Sequence, residues 1–278
     1  MKIGLVVPGF SADADDWCIP ALRDLVAALA REDEVVVLAL RYPYRPGTYE
    51  VFGARVIALG GARRRGAGSA ALWRRALATL RAEHRRGRFD LLHAFWATEP
   101  GLVATLAGRR LGVPAVVSLA GGELVALRDI GYGDQLAPLQ RLIIGRALRR
   151  AAVVTAGSRY LLDRAAPWLG RRSPAEVRRI PLGVDTARFH PGAATGPGAP
   201  PALIHAASLV PVKDQATLLR AVALLHRRGG IAATLTIAGG GPLEATLRAL
   251  AAELGIAGSV TFLGAVPHDR LPELYRRG

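Results

Sequence analysis

The alternation of short apolar segments with longer segments of helical periodicity restricts the fold of this chain more than any other feature. Residues 3–7 are largely apolar, residues 19–30 repeat apolar side chains at the spacing of one helix face, and residues 35–40 are apolar again. The pattern continues with strands predicted at 56–59, 91–95, 115–119, 153–156 and 177–180, and with helices starting near residues 69, 99, 139 and 159. Short apolar strands separated by helices are typical of a parallel sheet covered on both faces. The sequence therefore predicts an α/β fold.

A segment rich in proline and glycine divides the chain. Residues 191–201 read PGAATGPGAPP, with proline or glycine at seven of eleven positions, and this composition predicts a linker. Residues 1–190 then form one Rossmann-like domain, and residues 202–278 form a second α/β unit with three predicted strands. Three strands are about half of a usual nucleotide-binding domain. We therefore expect the first half of a domain that continues past residue 278; the alternative is a compact lobe docked on the first domain.

Composition excludes several classes of protein. A hydrophobic content of 51% excludes a disordered chain, and a single cysteine, Cys18, excludes a disulfide scaffold. No apolar run approaches the roughly 20 residues of a membrane-spanning helix. The first residues imitate a signal peptide, but Pro8 and Gly9 interrupt the apolar stretch, which favours a first strand. We expect a reduced, cytoplasmic protein that is soluble or peripheral at the inner face of a membrane.

The positive charge is concentrated in two segments. The chain has 37 basic and 22 acidic side chains, and 35 of the basic ones are arginine. Residues 55–88 contain ten arginines and one glutamate, and residues 141–179 contain ten arginines and two acidic residues. Local positive charge attracts the phosphates of nucleic acid, of anionic lipid or of a charged substrate, and composition alone leaves the three open.

The helix predicted from residue 69 carries part of this charge on one face. Arg74, Arg75, Arg81 and Arg85 lie opposite an apolar arc. The face is either a solvated helix surface or a contact for anionic lipid headgroups. Nucleic-acid binding is disfavoured, because the two arginine-rich segments contain few aromatic residues, such as Trp73 and Trp168, for stacking on bases.

Two loops of the second unit suggest an anion site. A predicted strand ends in Gly239, Gly240 and Gly241, and Pro242 then starts a helix. Glycines let backbone amides approach a ligand, and a helix N-terminus favours a phosphate. Lys213, one of only two lysines in the chain, precedes another predicted helix, where its ammonium suits a diphosphate. The alternatives are a tight connection at the glycines and a solvated lysine in the loop.

Several motifs together resemble glycosyltransferase family 4, the retaining transferases of the two-domain GT-B architecture. Residues 205–225, HAASLVPVKDQATLLRAVALL, and residues 235–275, which begin LTIAGGGPLEATL, are similar to the first half of the family's donor-binding domain. Residues 180–191, IPLGVDTARFHP, resemble the segment before its interdomain linker. Residues 90–94, DLLHA, and residues 112–117, GVPAVV, are similar to parts of the family's acceptor-side domain. The resemblance covers nearly the whole chain.

The resemblance implies a reaction and a set of donor-binding residues. A sugar would move from a UDP- or GDP-sugar to a hydroxyl of a lipid or glycan acceptor with retention, and cations and backbone amides would stabilise the departing diphosphate. No cofactor, no metal and no nucleic-acid partner are expected, and the DxD-like Asp13-Ala14-Asp15 is taken as a chance match. The donor-binding residues implied are Gly9, Phe10, Ser208, Lys213, Gly239, Gly240, Gly241, Phe262, Leu263 and Gly264.

The chain departs from the family pattern at several positions. Ser208 stands where an arginine usually partners the lysine, Ala120 stands where many members have a histidine, and Asp15-Asp16 replaces paired glycines in the first loop. No glutamate has another glutamate eight positions later, so the family's E-x7-E motif is absent. We expect that motif beyond residue 278 and expect this piece to be a poor catalyst. The alternative is a non-catalytic homologue that binds nucleotide.

Two residues are catalytic candidates on the acceptor side. His93 is placed towards the end of the strand predicted at 91–95, and functional sites of α/β proteins lie at the carboxyl ends of strands. Glu123 follows two glycines after another predicted strand. A structural histidine and a capping or solvated carboxylate are the alternatives.

Overall fold

The chain forms two compact units in the computed structural model, which describes residues 1–16, 18–62, 68–170, 175–192 and 200–278. Unit 1 is Met1–Val184 and unit 2 is Asp185–Gly278. Most of the predicted linker, at 193–199, lies outside the described residues, as do Arg63–Arg65 and Arg171–Arg172 of the two arginine-rich segments.

Unit 1 is built on an eight-stranded sheet. Its strands are β1 Lys2–Gly9, β2 Glu34–Tyr42, β3 Pro46–Val51, β4 Ala54–Leu59, β5 Leu91–Phe95, β6 Ala115–Leu119, β7 Val153–Ala156 and β8 Glu176–Arg179. They lie in the order β3-β4-β2-β1-β5-β6-β7-β8. All neighbouring pairs are parallel except β3 and β4. The prediction of an α/β fold with a mostly parallel sheet is confirmed.

Strand β3 is absent from the predicted pattern, and its sequence explains why. It reads PGTYEV, begins with a proline and a glycine, and buries only Val51 at its end. It pairs antiparallel with β4 at the edge of the sheet, so one of its sides has no neighbouring strand. An edge strand with mostly exposed side chains lacks the apolar signal that predicted the others.

Helices cover both faces of this sheet. They are α1 Pro20–Leu29, α2 Ser69–Arg86, α3 Glu99–Leu111, α4 Pro138–Arg150 and α5 Arg159–Leu169. Successive strand residues point to opposite faces, so Leu5 and Val7 of β1 pack with α1, whereas Val6 packs in the cluster that contains α2 and α3. Helices α2, α3, α4 and α5 each contact the next, and they form one layer.

Unit 2 is a smaller α/β unit with its own core. Its strands are β9 Ala202–Ala206, β10 Thr234–Ala238 and β11 Val260–Gly264, and its helices are α6 Gln215–Gly229, α7 Glu244–Glu253 and α8 Leu271–Tyr275. The strands are parallel in the order β11-β10-β9. Leu209, Leu219, Leu235, Ile237 and Leu247 are buried in the core between this sheet and helices α6 and α7.

Unit 2 begins at Asp185, earlier than the predicted domain end at residue 190. The ring of Phe189 packs within this unit, with its centroid 5.8 Å from that of His268 and 6.2 Å from that of Tyr275. Arg188 also forms an ion pair of 3.4 Å with Asp269. These contacts tie residues 188–189 to the end of unit 2.

Candidate functional site

The neighbouring strands β5, β6 and β7 bring three polar side chains into one row. Nε2 of His93 lies 2.8 Å from Oγ of Ser118, and Oγ of Ser118 lies 2.6 Å from Oγ1 of Thr155. Neither Ser118 nor Thr155 was predicted from the sequence. The available signal was one hydroxyl residue inside each of two otherwise apolar strands, VVSL and VVTA.

His93 is held neutral at the end of this row. Burial lowers the pKa of its imidazole to about 4. The ring also packs on Phe95, with a centroid separation of 4.8 Å. A buried neutral imidazole can hold or accept one hydrogen bond at each nitrogen, but it carries no charge near pH 7. The structure thus places His93 in the middle of β5 rather than at the strand end, in a hydrogen-bonded and largely enclosed position, and its catalytic role stays a prediction.

Acid is expected to destabilise unit 1 through His93. Its folded pKa of about 4 lies below the ordinary value of 6.5, so the unfolded chain takes up a proton first as the pH falls. The stability of folded unit 1 that depends on neutral His93 is fully present above about pH 6.5 and is lost as the pH falls towards 4. From pH 7 to pH 5, urea unfolding of unit 1 should lose about 2 kcal/mol more in the wild type than in His93→Phe.

The control for this pH effect is His226→Phe in unit 2, which should leave the pH dependence of unit 1 unchanged. An identical pH dependence in the wild type and in His93→Phe would contradict the assignment of a buried neutral imidazole.

Glu123 is fully buried, with 0% of its surface exposed, in a short 3-10 turn after β6. Its carboxylate accepts hydrogen bonds from the amides of Ala120 (3.1 Å) and Gly121 (2.7 Å). Burial raises the pKa of this carboxyl group. The predicted catalytic role needs contact with substrate, and the enclosure of Glu123 favours instead a role in holding the loop after β6.

The first loop of unit 1, predicted to face donor phosphates, is closed by its own contacts. Phe10 is only 1% exposed and packs edge-on against Phe52, at 6.3 Å between centroids. A Cβ on Gly9 would lie 2.6 Å from Cβ of Tyr42, so this glycine permits close packing of β1 on β2. The ring of Phe10 is therefore enclosed in the core of unit 1, and the donor-binding role of Gly9 and Phe10 stays a prediction.

Asp16, one of the two residues that replace the family's glycines, shapes this loop. Oδ2 of Asp16 accepts hydrogen bonds from the amide of Ala12 and from the hydroxyl of Tyr42, both at 2.7 Å. The hydrogen bond to Asp16 raises the pKa of Tyr42, and burial adds to the shift. Backbone amides of Asp15 and Asp16 donate to Asp13. The carboxylates of Asp13 and Asp16 thus accept the hydrogen bonds of this turn, whereas paired glycines would place no side chain there.

In unit 2, the loops after all three strands are joined by backbone hydrogen bonds. The amide of Leu209 donates to the carbonyl of Gly240 (3.0 Å), and the amide of Gly239 donates to the carbonyl of Gly264 (2.7 Å). A Cβ on Gly239 would lie 1.9 Å from the carbonyl oxygen of Ala207, and its φ is +149°. This glycine therefore lets the loops after β9 and β10 touch.

Gly240 and Gly241 have a different relation to that turn. A Cβ on Gly240 would have no neighbour closer than 4.0 Å, whereas one on Gly241 would lie 2.5 Å from the carbonyl oxygen of Leu209. Among the described residues, neither amide has a hydrogen-bond acceptor. The tight-connection interpretation thus holds for Gly239 and Gly241, and the amides of Gly240 and Gly241 remain available to an anion.

Lys213 lies at the end of a short 3-10 turn that leads into α6. Its side chain is exposed and forms no ion pair with any described residue. Asp214 caps α6, with Oδ1 accepting from the amide of Thr217 at 3.4 Å. Burial, followed by the nearby charge of Lys213, lowers the pKa of His205. A free ammonium at a helix N-terminus is a suitable place for a phosphate.

Gln215 connects the residues around Lys213, and the sequence prediction missed it. Its Nε2 donates to the carbonyl of Ser208 (3.0 Å) and lies 3.3 Å from Nε2 of His205. Gln215 is 1% exposed, and its Oε1 is buried without a hydrogen-bond partner among the described residues. Ser208 itself is exposed. The amide of Gln215 thus fixes the loop that carries Ser208 and Lys213.

The predicted donor residues of β11 have separate environments. The Phe262 ring packs on the core of unit 2 and lies under the guanidinium of Arg248, at 4.5 Å. Leu263 is 46% exposed, and Gly264, with φ +69°, contributes its carbonyl to the joined loops. The Phe262 side chain is thus engaged within unit 2, whereas Leu263 offers an accessible apolar surface.

The four arginines predicted to contact a membrane are all exposed on α2. One of them, Arg75, donates from Nη2 to the carbonyl of Leu59 at 3.1 Å. Within the described ranges, no helix has the length and apolar content needed to cross a membrane.

The sequence also gave no indication of a buried ion pair at the carboxyl end of β2. Nε and Nη2 of Arg41 each donate to Glu99 at 2.7 Å, and Nε1 of Trp73 donates to the same carboxylate at 3.0 Å. The guanidinium of Arg41 also binds the carbonyl of Ala62 and the hydroxyl of Ser69. One arginine thus joins the ends of β2 and β4 to the starts of α2 and α3.

Comparison with known families agrees with this architecture. The Glycosyl transferase 4-like domain family matches residues 19–183, and the Glycosyl transferases group 1 family matches residues 191–277. The chain belongs to glycosyltransferase family 4, with the GT-B architecture. The resemblance seen in its motifs is confirmed.

Curated relatives of this family 4 chain include two kinds of enzyme. A GDP-mannose-dependent alpha-(1-6)-phosphatidylinositol monomannoside mannosyltransferase of Mycobacterium tuberculosis is 38% identical over 55% of this chain and 42% of the relative. A D-inositol 3-phosphate glycosyltransferase of Acidothermus cellulolyticus is 33% identical over 72% of this chain and 48% of the relative. The chain thus spans about half or less of these relatives.

Solved structures share the fold at low identity. Sucrose-phosphate synthase from Thermosynechococcus elongatus has a TM-score of 0.72 and 17% identity, and the match covers 99% of this chain and 73% of that one. The lipopolysaccharide outer core galactosyltransferase WaaB has a TM-score of 0.60 and 14% identity, with 99% and 72% covered.

Proposed function

We propose that this chain is part of a retaining glycosyltransferase that moves a sugar from a nucleoside diphosphate to a hydroxyl of a lipid or glycan. The carrying observation is the anion site of unit 2, where the unpaired ammonium of Lys213 precedes α6 and the amides of Gly240 and Gly241 have no acceptor among the described residues. Positive charge and unused amides are the groups that stabilise a departing diphosphate.

The relatives support the kind of substrate. One is named for GDP-mannose and a phosphatidylinositol mannoside, and the other for inositol 3-phosphate. A UDP- or GDP-sugar is therefore the proposed donor class. The protein would act in the cytoplasm, and the exposed arginines of α2 would attract it to an anionic membrane surface.

The catalysis proposed for these residues is electrostatic. Lys213 and the free amides would hold the diphosphate, and the leaving phosphate would gain negative charge as the bond to the sugar breaks. Neutral His93, within β5 of the acceptor-side sheet, would act as a hydrogen-bonding group rather than as a cation. No metal ion is required for this distribution of roles.

Calorimetry with UDP and with GDP tests the donor site. Lys213→Met should weaken the binding of the preferred nucleotide about tenfold, the effect of one charge-assisted hydrogen bond. Arg227→Met removes the same charge from an exposed position at the other end of α6 and should leave the affinity unchanged. Equal affinities of the wild type and Lys213→Met would contradict the role of Lys213, and failure of the wild type to bind either nucleotide would contradict the donor site.

A second candidate function is nucleotide binding without turnover. It is favoured by Ser208, an uncharged side chain at the position where the family usually supplies a second cation, and by the burial of Glu123. Transfer of radiolabelled sugar from a UDP- or GDP-sugar to a lipid extract distinguishes the two. Binding without any transfer would favour this second candidate.

A further inference from the structure

The outer surface of helices α2, α3 and α4 is positively charged without exposed carboxylates. Its exposed arginines are Arg74, Arg75, Arg81, Arg85, Arg86, Arg109, Arg110, Arg141, Arg146, Arg149 and Arg150. The acidic residues of these three helices are Glu83 and Glu99, and both are buried in ion pairs with arginine. Such a surface is complementary to a dense layer of phosphates.

Only α4 adds large apolar side chains to this charge. Leu139 is 62% exposed and Leu142 is 51% exposed, whereas α2 and α3 expose no large hydrophobic residue. Steps of three, four and three residues place Leu139, Leu142, Arg146 and Arg149 on one stripe of the helix. The opposite side of α4 buries Ile143, Ile144, Ala147 and Leu148 in the core.

The arginines of this stripe have no competing partner. Within the described part of the chain, neither Arg146 nor Arg149 forms a salt bridge. A helix with exposed leucines beside free arginines has the composition of an interfacial helix, which lies in the plane of a bilayer. The combination differs from a surface for nucleic acid, because no exposed aromatic side chain on α2, α3 or α4 is present for base stacking.

The start of α4 is also tied to the candidate site. Nε of Arg141 donates to the carbonyl of Gln135 at 2.6 Å, and Nε2 of Gln135 donates to the carbonyl of Glu123 at 2.6 Å. Leu139 and Leu142 therefore lie on either side of Arg141, which is linked through Gln135 to the loop after β6. A membrane bound at this face would lie beside the acceptor-side strand ends.

We propose that the exposed face of α4 docks on an anionic phospholipid bilayer. Leu139 and Leu142 enter the boundary between headgroups and acyl chains, and Arg146 and Arg149 bind lipid phosphates. The proposed function enters this inference at one point: it supplies the reason for membrane binding, which is access to a lipid acceptor. It differs from attraction through α2, since the apolar contact is confined to α4.

Sedimentation of the full chain with lipid vesicles tests the proposal. The wild type should bind vesicles of equal phosphatidylcholine and phosphatidylglycerol and bind phosphatidylcholine alone far more weakly. Leu139→Ser/Leu142→Ser should lower partitioning about tenfold, and Arg146→Gln/Arg149→Gln should lower it by about tenfold or more. The matched control is Leu224→Ser/Leu225→Ser, which alters two leucines of similar type, 43% and 38% exposed, on α6.

Three results would overturn the proposal. In the first, the variant Leu139→Ser/Leu142→Ser partitions onto vesicles as strongly as the wild type. In the second, binding is lost only when Arg74, Arg75, Arg81 and Arg85 are all replaced by glutamine. The third is tight binding of single-stranded RNA with no binding to vesicles. Circular dichroism of each variant verifies the fold. The vesicles contain neither donor nor acceptor, so failure here is distinguishable from failure of the nucleotide titration.

Discussion

Gly239→Ala is expected to destabilise unit 2 by about 4 kcal/mol, the sum of a strained backbone and an overpacked contact. The added Cβ would lie 1.9 Å from the carbonyl oxygen of Ala207, and a φ of +149° is rarely adopted by an L-residue. The neighbouring atoms are backbone, so no side-chain rotation can relieve the clash. Hydrogen exchange at the buried amides of β10 measures the effect within unit 2, because a two-unit chain need not unfold in one step.

Gly240→Ala is the matched control for that substitution. It adds the same methyl group one residue later, where no atom lies closer than 4.0 Å. We expect exchange in β10 to change by less than about 1 kcal/mol. Similar effects of the two substitutions would show that the joined loops of unit 2 are not packed as described.

Glu99→Ala is expected to destabilise unit 1 by about 3–5 kcal/mol, because it leaves the guanidinium of Arg41 buried without its carboxylate. Both side chains are at most 10% exposed in this pair. The loss also removes the acceptor of Nε1 of Trp73. Urea unfolding monitored by hydrogen exchange in β1 and β5 reports on unit 1 alone.

Two comparisons isolate the buried charge in that experiment. Glu176→Ala breaks an exposed pair with Arg178, whose side chains are 60% and 54% exposed, and should cost less than about 1 kcal/mol. Arg41→Met/Glu99→Leu removes both charges and should be less damaging than Glu99→Ala alone. A double variant as unstable as the single one would contradict the assignment of the cost to an unpaired charge.

The architecture was largely predictable, because apolar periodicity is a local property of the sequence. The seven parallel strands of unit 1 and the three strands of unit 2 each overlap a predicted strand, although β8 reads EVRR and is exposed along its whole length. The exception, β3, has little apolar surface to bury at the sheet edge. The compact units divide at Asp185, and the packing of Phe189 on His268 and Tyr275 joins residues too far apart in sequence for a local pattern to show.

The site was less predictable, since burial depends on partners elsewhere in the chain. Phe10 is enclosed with Phe52, and Glu123 is enclosed by the amides of its own turn, so a loop position alone did not establish access to substrate. Arg41 and Glu99 are 58 residues apart, and nothing near either residue indicates their pairing. The roles of Lys213 and His93 remain predictions that the proposed experiments address.

The joined loops of unit 2 have a consequence for how this site can diverge among related enzymes. Their shape rests on main-chain bonds between Leu209, Gly239, Gly240 and Gly264. Main-chain groups are present whatever the side chain, so Ser208 can be replaced by a cationic residue without loss of these hydrogen bonds. Side chains on these loops can therefore change by point substitution on an unchanged main-chain frame, and a ligand that enters this frame has little loop entropy to overcome.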